Sequence, residues 1–213
     1  MGAEHSDSPE VPARAHEGTM PVTARLLLAT RNEHKRREFA RLLRGFEVDA
    51  LPDEVILPPE DGDTFEQNAL GKARAAAAAT GRVSIADDSG IEAQALGGAP
   101  GVRSARYAGE DASDEQNLAK LLQEAPAGSP LAYVCALAYV DPEHGVERVF
   151  EGCCSGRLAE HPRGERGFGY DPAFLPDEQA GELTMAELSD ERKDAISHRG
   201  RALRAMRQWL TAG

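Results

Sequence analysis

Val83-Ser84-Ile85-Ala86-Asp87-Asp88-Ser89-Gly90 places two adjacent carboxylates directly after a short apolar run. The run from Val83 to Ala86 predicts a short buried strand, and Gly90 predicts a sharp turn behind it, because glycine relaxes backbone restrictions. Neighbouring aspartates repel each other unless a cation or a proton lies between them. Mg²⁺ favours carboxylate oxygens, with substrate phosphates completing its shell. The stretch therefore predicts a metal site at a strand end, and the alternative is that Asp87 and Asp88 only cap a turn.

Composition narrows the classes of protein to which this chain can belong. Its 213 residues suffice for one large domain or two small lobes, and 41% hydrophobic and 28% charged residues are ordinary for a globular protein. The net charge of -12 argues against a general binder of nucleic acid or anionic membranes, and no apolar run is long enough to cross a bilayer. We therefore expect neither nucleic acid nor membrane as a partner. Cys135, Cys153 and Cys154 lack metal-ligand spacing and predict reduced thiols in a cytoplasmic protein.

The N-terminal stretch differs in composition from the rest of the chain. Residues 1–23 are rich in Pro, Ala, Glu and Ser without periodicity, which predicts a disordered tail. Met20 lies just before the first predicted strand, so we hypothesise that translation starts there in the cell. Residues 24–213 are expected to form a single domain.

The remaining chain alternates apolar runs with stretches of helical periodicity, which predicts both strands and helices. Besides the strand at Val83, strands are predicted near Arg25–Ala29, Glu47–Leu51, Leu131–Val140, Val146–Glu151 and Cys153–Leu158. Helices are predicted from the turn at residues 30–35 to about Leu43, from a capping-box-like Asp63 and Glu66 to about Thr80, from Ser113 and Gln116 to about Glu124, after Ser189, and from Ser197 to about Leu210.

A strand-to-helix turn at Thr30-Arg31-Asn32-Glu33-His34-Lys35 is a candidate anion site. The backbone N–H groups at a helix N-terminus attract anions, and Lys35 adds a full positive charge. The turn lacks the glycine pattern of a Walker loop. The alternative is ordinary helix capping by Asn32 or Thr30.

Two later segments suit a nucleotide. In Phe168-Gly169-Tyr170-Asp171-Pro172, an aromatic beside glycine can stack on a flat base, although the aromatics could equally fill the core. Ser197-His198-Arg199-Gly200, with Lys193 one turn upstream, gathers three donors at a helix N-terminus. Such a cluster suits a ligand rich in oxygen acceptors.

Taken together and in this order, these segments resemble the inosine triphosphate pyrophosphatase family, also called XTP/dITP diphosphatases. The resemblance extends from Arg25 to Leu210. Its matching text is Ala29–Lys35, Thr64-Phe65, Asn68-Ala69, Lys72-Ala73, Ala86–Gly90, Leu96–Gly101, Ser104–Tyr107, Gly167–Pro172, Ala186–Leu188 and Ala195–Gly200.

The resemblance implies a role for each candidate residue. Asp88 would be the catalytic carboxylate and, with Glu60, a ligand of Mg²⁺. The substrate would be held by the turn Thr30, Arg31, Asn32, Glu33, His34 and Lys35, by Ser89, by Phe168, Gly169, Tyr170 and Asp171 around the base, and by Lys193, His198 and Arg199. Within the turn, Arg31, Glu33 and His34 would contribute mainly backbone.

The chain also departs from the family pattern. Arg31 stands where many relatives have glycine, and Arg103 occupies a position that is often aromatic. Gln67 replaces a usual glutamate, which keeps the hydrogen bonding and removes a charge. An acidic role at that position is therefore in doubt.

The implied reaction is Mg²⁺-dependent hydrolysis of deaminated purine nucleoside triphosphates (dITP, ITP, XTP) to the monophosphate and pyrophosphate. Donors from His198 or Arg199 would pair with the 6-oxygen of hypoxanthine or xanthine and would face the amino group of adenine. The implied fold is α/β, with a long, curved mixed sheet flanked by helices and two lobes around an active-site cleft. Family members are typically homodimers. The alternatives are a pyrophosphatase for other modified nucleotides, a nucleotide sensor without catalysis, and a nucleic-acid-binding module.

Overall fold

The structure, a computed structural model, describes residues 25–179 and 181–212. The predicted tail at residues 1–23 and the hypothesis about Met20 concern residues outside this range. Within it, one six-stranded sheet runs through the molecule in the order β2-β1-β3-β4-β5-β6. The strands are β1 (Arg25–Leu28), β2 (Glu47–Ala50), β3 (Ser84–Ala93), β4 (Pro130–Asp141), β5 (Val146–Leu158) and β6 (Phe174–Pro176).

The sheet is mixed, as predicted. Strand β1 pairs in parallel with β2 and β3, whereas β3, β4, β5 and β6 pair antiparallel in succession. Five α-helices accompany it: α1 (Glu33–Leu42), α2 (Phe65–Thr80), α3 (Asp114–Glu124), α4 (Asp190–Ile196) and α5 (His198–Ala212). No helix in the described part of the chain combines the length and apolarity needed to span a membrane.

Helices cover both faces of the sheet. On one face, Ala69, Ala73 and Ala76 of α2 pack against the small residues Ala86 of β3 and Ala136 of β4. The small alanine side chains let helix and sheet approach closely. On the opposite face, a second cluster buries Phe39 of α1 and Leu203 and Met206 of α5. These side chains pack with Ile85 of β3 and Leu137 of β4.

The predicted turn at Gly90 is wrong, because β3 continues through the two aspartates to Ala93. Gly90 serves a close approach instead of a bend. A Cβ there would lie 2.4 Å from Ser104 Oγ and 2.5 Å from Gly101 O. The strand can therefore pass beside the 3₁₀ helix Gly101–Arg106 only with glycine at this position.

Two further local predictions need correction. Helix α2 is capped by Thr64, whose side chain accepts from Gln67 N, so Asp63 is not the capping residue. The separate strands predicted at Val146–Glu151 and Cys153–Leu158 form one continuous strand, β5. The capping box of Ser113 and Gln116 at α3 is confirmed.

Candidate active site

A cavity of about 330 Å³ brings most of the predicted site residues together. Those that line it are Thr30, Arg31, Asn32, Lys35, Glu60, Ser89, Phe168, Gly169, Tyr170, Asp171, Lys193, His198 and Arg199. Glu33, His34 and Asp88 are not part of the lining. Segments spread over 170 residues of sequence thus converge on one space of a size that suits a small-molecule ligand.

The turn after β1 forms one end of the cavity. Asn32 caps α1, and its side chain accepts from the backbone N–H groups of His34 at 2.9 Å and of Lys35 at 3.0 Å. The capping alternative for Asn32 is therefore confirmed, and these two N–H groups are occupied. The helix N-terminus and the Lys35 ammonium still give this end positive potential.

Asp87 and Asp88 point to opposite faces of β3, as successive strand residues do. Asp87 lies against Lys35 of α1 and Arg199 of α5, each 3.1 Å away. Asp88 accepts a 2.8 Å hydrogen bond from Asn68 of α2 on the other face. The expectation that the adjacent pair clasps one cation between its side chains is therefore wrong.

The environments of the two aspartates shift their pKa values in opposite directions. Burial opposes the charged form of Asp87, but the charges of Lys35 and Arg199 outweigh it and lower the pKa of that carboxyl far below its usual range. For Asp88, burial dominates and raises the pKa, with Lys72 opposing and Glu60 adding to the rise. Asp87 is thus held as an anion, whereas burial disfavours the charge of Asp88 and a nearby cation would favour it.

Glu60 lies on the same side as Asp88. Its carboxylate pairs with the ammonium of Lys72 on α2, and Lys72 also donates to Asp87 O at 2.7 Å. Arg106 donates to the backbone carbonyl of Glu60 at 2.7 Å. The acidic loop that carries Glu60 is therefore fixed beside β3 by contacts from two other elements.

A chain of buried charges of alternating sign links the two ends of the cavity, in the order Lys35, Asp87, Arg199, Glu38, Lys193 and Asp171. Lys193 Nζ lies 2.6 Å from both Glu38 Oε1 and Asp171 Oδ2. Each of the three guanidinium nitrogens of Arg199 donates to protein, on Asp87, Glu38 and Ser89. Arg199 is therefore engaged mainly in ordering the site.

The second end of the cavity is aromatic. The Phe168 ring stacks on His34 at a centroid distance of 5.0 Å, so this loop contacts the turn after β1. Asp171 holds the loop by accepting from Phe168 N at 2.9 Å. Tyr170 belongs to the hydrophobic core and donates its hydroxyl to Ser104 O at 2.8 Å. The core-filling interpretation is therefore confirmed for Tyr170, whereas stacking of Phe168 on a base stays a prediction.

His198 is a buried, neutral imidazole. Burial, reinforced by the charge of Arg199, lowers its pKa well below the usual value. Its ring stacks on Tyr133 at 4.6 Å and 8°, and its Nδ1 has no hydrogen-bond partner among the described residues. A buried polar atom without a partner is costly to the folded chain.

The donor set fits a hard divalent cation. Asp88 and Glu60 are close enough that each charge disfavours the other, and a cation between them relieves that repulsion. No group of three or more His, Cys, Asp or Glu in residues 25–179 and 181–212 could hold a metal by itself. The remaining coordination positions would then belong to phosphate oxygens and water, the usual arrangement for Mg²⁺.

Sequence reasoning missed several residues of the site. Lys72, Tyr133, Ser104 and Asp114 line the cavity, and Glu38 joins the buried charge chain. Lys72 and Ser104 both lie in the segments that match the family, and Asn68 and Lys72 are spaced to share one face of α2.

These features define an α/β protein whose cavity has a cationic end, an aromatic end and carboxylates beside it. A sequence model described as the Ham1 family matches residues 26–209, which is most of the chain. The chain belongs to the Ham1 family.

Curated relatives and a solved structure are similar to this chain over most of its length. The "dITP/XTP pyrophosphatase" of Cutibacterium acnes is 46% identical over 193 residues, covering 86% of this chain and 94% of the relative. The protein of the same name from Geobacillus kaustophilus is 49% identical over 194 residues, covering 86% and 93%. The structure of a HAM1 protein from Coxiella burnetii superposes with a TM-score of 0.79 at 38% identity, covering 90% of this chain and all of that one.

Proposed function

We propose that this chain hydrolyses deaminated purine nucleoside triphosphates, such as dITP and XTP, to the monophosphate and pyrophosphate. The curated relatives bear the name of that activity and match over most of their own length. The observation that carries the proposal is the cavity, because one space holds a cationic helix N-terminus, an aromatic ring and a neutral histidine. These groups suit the triphosphate and the base of one nucleotide.

The chain's own residues divide the work. Lys35 and the α1 N-terminus neutralise phosphate charge, and Thr30, Asn32 and Ser89 position the phosphate chain. Asp88 orients the attacking water and accepts its proton. The anionic form of Asp87 fixes Lys35 and Arg199, which keeps the cationic end of the cavity in place.

Asp88 and Glu60 would hold the divalent cation, which we propose to be Mg²⁺. Bound there, it supplies positive charge to the phosphate oxygens and makes a bound water more acidic. Before the cation binds, Lys72 keeps Glu60 ionised and oriented, because its ammonium contacts that carboxylate directly.

Base selection is assigned to His198 and the loop around Phe168. A neutral imidazole carries one N–H donor, which can pair with the 6-oxygen of hypoxanthine or xanthine. Adenine offers an amino group at that position, so the same donor would face another donor. One unsatisfied buried group costs about 1–3 kcal/mol, which gives roughly ten- to a hundredfold discrimination.

A substrate panel tests this function. Pyrophosphate release is measured with dITP, XTP, dATP and dGTP, each with and without Mg²⁺. The proposal expects release with dITP and XTP that depends on the cation and is much weaker with dATP and dGTP. Binding of dITP without release would favour the nucleotide sensor, and equal release from all four would contradict base selection.

The assembly of the chain and its location in the cell are separate proposals. We propose a homodimer, as the resemblance implies, and a cytoplasmic protein, because Cys135, Cys153 and Cys154 are all free thiols. Light scattering on the purified chain tests the first, and a molar mass near 22.8 kDa would contradict it.

A further inference from the structure

Arg31 differs from its neighbours in the turn, because its side chain leaves the phosphate end and binds another loop. Its guanidinium donates to the carbonyl oxygens of Leu51 (3.2 Å), Pro52 (2.7 Å), Asp53 (3.2 Å) and Val55 (3.0 Å). It also contacts the Asp53 carboxylate at 3.2 Å. One side chain thus makes five hydrogen bonds to a single five-residue segment.

That segment leads directly to the acidic residue of the site. Leu51 and Val55 are buried, whereas Ile56 is 88% exposed, so the chain leaves the core at this point. Leu57, Pro58 and Glu60 then line the cavity. The path taken after residue 55 therefore decides where the Glu60 carboxylate lies.

We infer that Arg31 is a positioning residue that couples the phosphate-binding turn to the Glu60 loop. Arg31 lies between Thr30 and Asn32, so its backbone belongs to the phosphate end while its guanidinium holds residues 51–55. This inference rests on the proposed function, in which Glu60 holds the cation. A displacement of the turn therefore also displaces Glu60. In this way the positions of the phosphate site and the cation site are linked.

The geometry says which part of the contact matters. Four of the five bonds go to backbone carbonyls and one to the exposed Asp53 carboxylate. An exposed ion pair contributes little, whereas a planar guanidinium can serve several carbonyls at once. Lysine has the charge without the planar fork, so it cannot replace arginine here.

Hydrogen–deuterium exchange on the full chain tests the coupling without reference to activity. In Arg31→Ala and Arg31→Lys, the amide of Val55, which donates to Pro52 O at 3.2 Å, should exchange about tenfold faster, as expected for the loss of one or two net hydrogen bonds. Exchange in α2 should be unchanged. Asp53→Ala, and the control Arg74→Ala, which removes an exposed pair with Glu147, should match the wild type. Unchanged exchange in Arg31→Ala would overturn the inference.

Kinetics separate positioning from a merely structural role. Arg31→Ala should raise several-fold the Mg²⁺ concentration that gives half-maximal pyrophosphate release, whereas Arg74→Ala should leave that concentration unchanged. A normal Mg²⁺ requirement together with a loosened loop would contradict a positioning role. A wild-type chain that releases no pyrophosphate would overturn the proposed function alone, because the exchange result does not depend on it.

Discussion

At the scale of single residues, the site depends on environments that separate two neighbouring carboxylates. Asp87 is surrounded by cations and stays charged, whereas Asp88 is buried, accepts from the amides of Asn68 and Ser89, and lies near a glutamate. Adjacent residues on a strand point to opposite faces, so the two neighbouring aspartates have different environments.

Asp88→Asn should reduce pyrophosphate release by about 10²–10⁴-fold, because an amide cannot accept the proton of the attacking water. Nucleotide binding should persist, since the cationic end of the cavity is untouched. Turnover and binding of dITP are measured side by side, with the surface variant Asp53→Asn as a control. Near-normal turnover in Asp88→Asn would remove this carboxylate from the reaction.

His198 predicts a dependence of stability on pH. Its pKa is lowered in the folded chain, so between its unfolded value of about 6.5 and the lower folded value only the unfolded chain binds the proton. Stability is therefore fully present above pH 6.5 and falls below it, by up to about 1.4 kcal/mol for each pH unit.

Urea unfolding of the wild type and of His198→Gln, compared at pH 7.5 and 5.5, checks this expectation. The variant should lose less stability between the two pH values, because glutamine does not titrate. Identical losses in the two proteins would mean that the imidazole is protonated in the folded state.

At the scale of elements, strand β3 and helix α2 build the catalytic side of the cavity. Gly90 lets β3 pass beside the 3₁₀ helix Gly101–Arg106, which carries Arg106 to the Glu60 carbonyl. Gly71 lies within α2, where a Cβ would meet only Pro58 Cγ at 3.7 Å. A Cβ is therefore excluded at Gly90 and has room at Gly71.

Gly90→Ala should destabilise the chain by about 1–3 kcal/mol, because the added methyl group collides with the carbonyl of Gly101. Gly71→Ala should stabilise it by about 0.5–1 kcal/mol through helix propensity. Thermal unfolding measures both changes. A neutral Gly90→Ala would show that the strand and the 3₁₀ helix can separate at little cost.

Periodicity and capping signals predicted most elements, and they failed where tertiary packing overrides a local signal. The backbone freedom of glycine predicts a turn at Gly90, yet glycine is required there by a neighbouring backbone. Gly152 interrupted the pattern of β5 in the same way, although a Cβ there would meet His198 O at 2.0 Å, so it allows α5 to pack closely. Neither neighbour is visible in the local sequence.

The site was predictable to the extent that its residues form local motifs. The spacing of residues in the sequence is enough to identify the turn after β1, the loop at Phe168 and the cluster at His198. Glu38 does not, because a buried acid on an amphipathic helix looks like a surface charge until its partners Lys193 and Arg199 are placed. Long-range ion pairs of this kind carry no local signal.

At the scale of the whole molecule, the buried charge chain joins α1, β3, α4, α5 and the Phe168 loop. Breaking one link leaves an uncompensated charge in the interior. Glu38→Gln should therefore cost about 3–5 kcal/mol in free energy of unfolding. Glu147→Gln, which breaks an exposed pair with Arg74, should cost about 0–1 kcal/mol. Chemical unfolding of both variants measures these free energies. Equal losses in Glu38→Gln and Glu147→Gln would mean that the buried charge chain stabilises the fold no more than a surface pair does.

We propose that one cavity holds a purine nucleoside triphosphate with its base at Phe168 and His198 and its phosphates at Lys35. A crystal structure of Asp88→Asn with dITP and Mg²⁺ tests it most directly. We expect the base beside the Phe168 ring, the triphosphate over the N-terminus of α1, and the metal at Glu60 next to residue 88. Nucleotide bound outside this cavity, or with its phosphates at the aromatic end, would contradict the account.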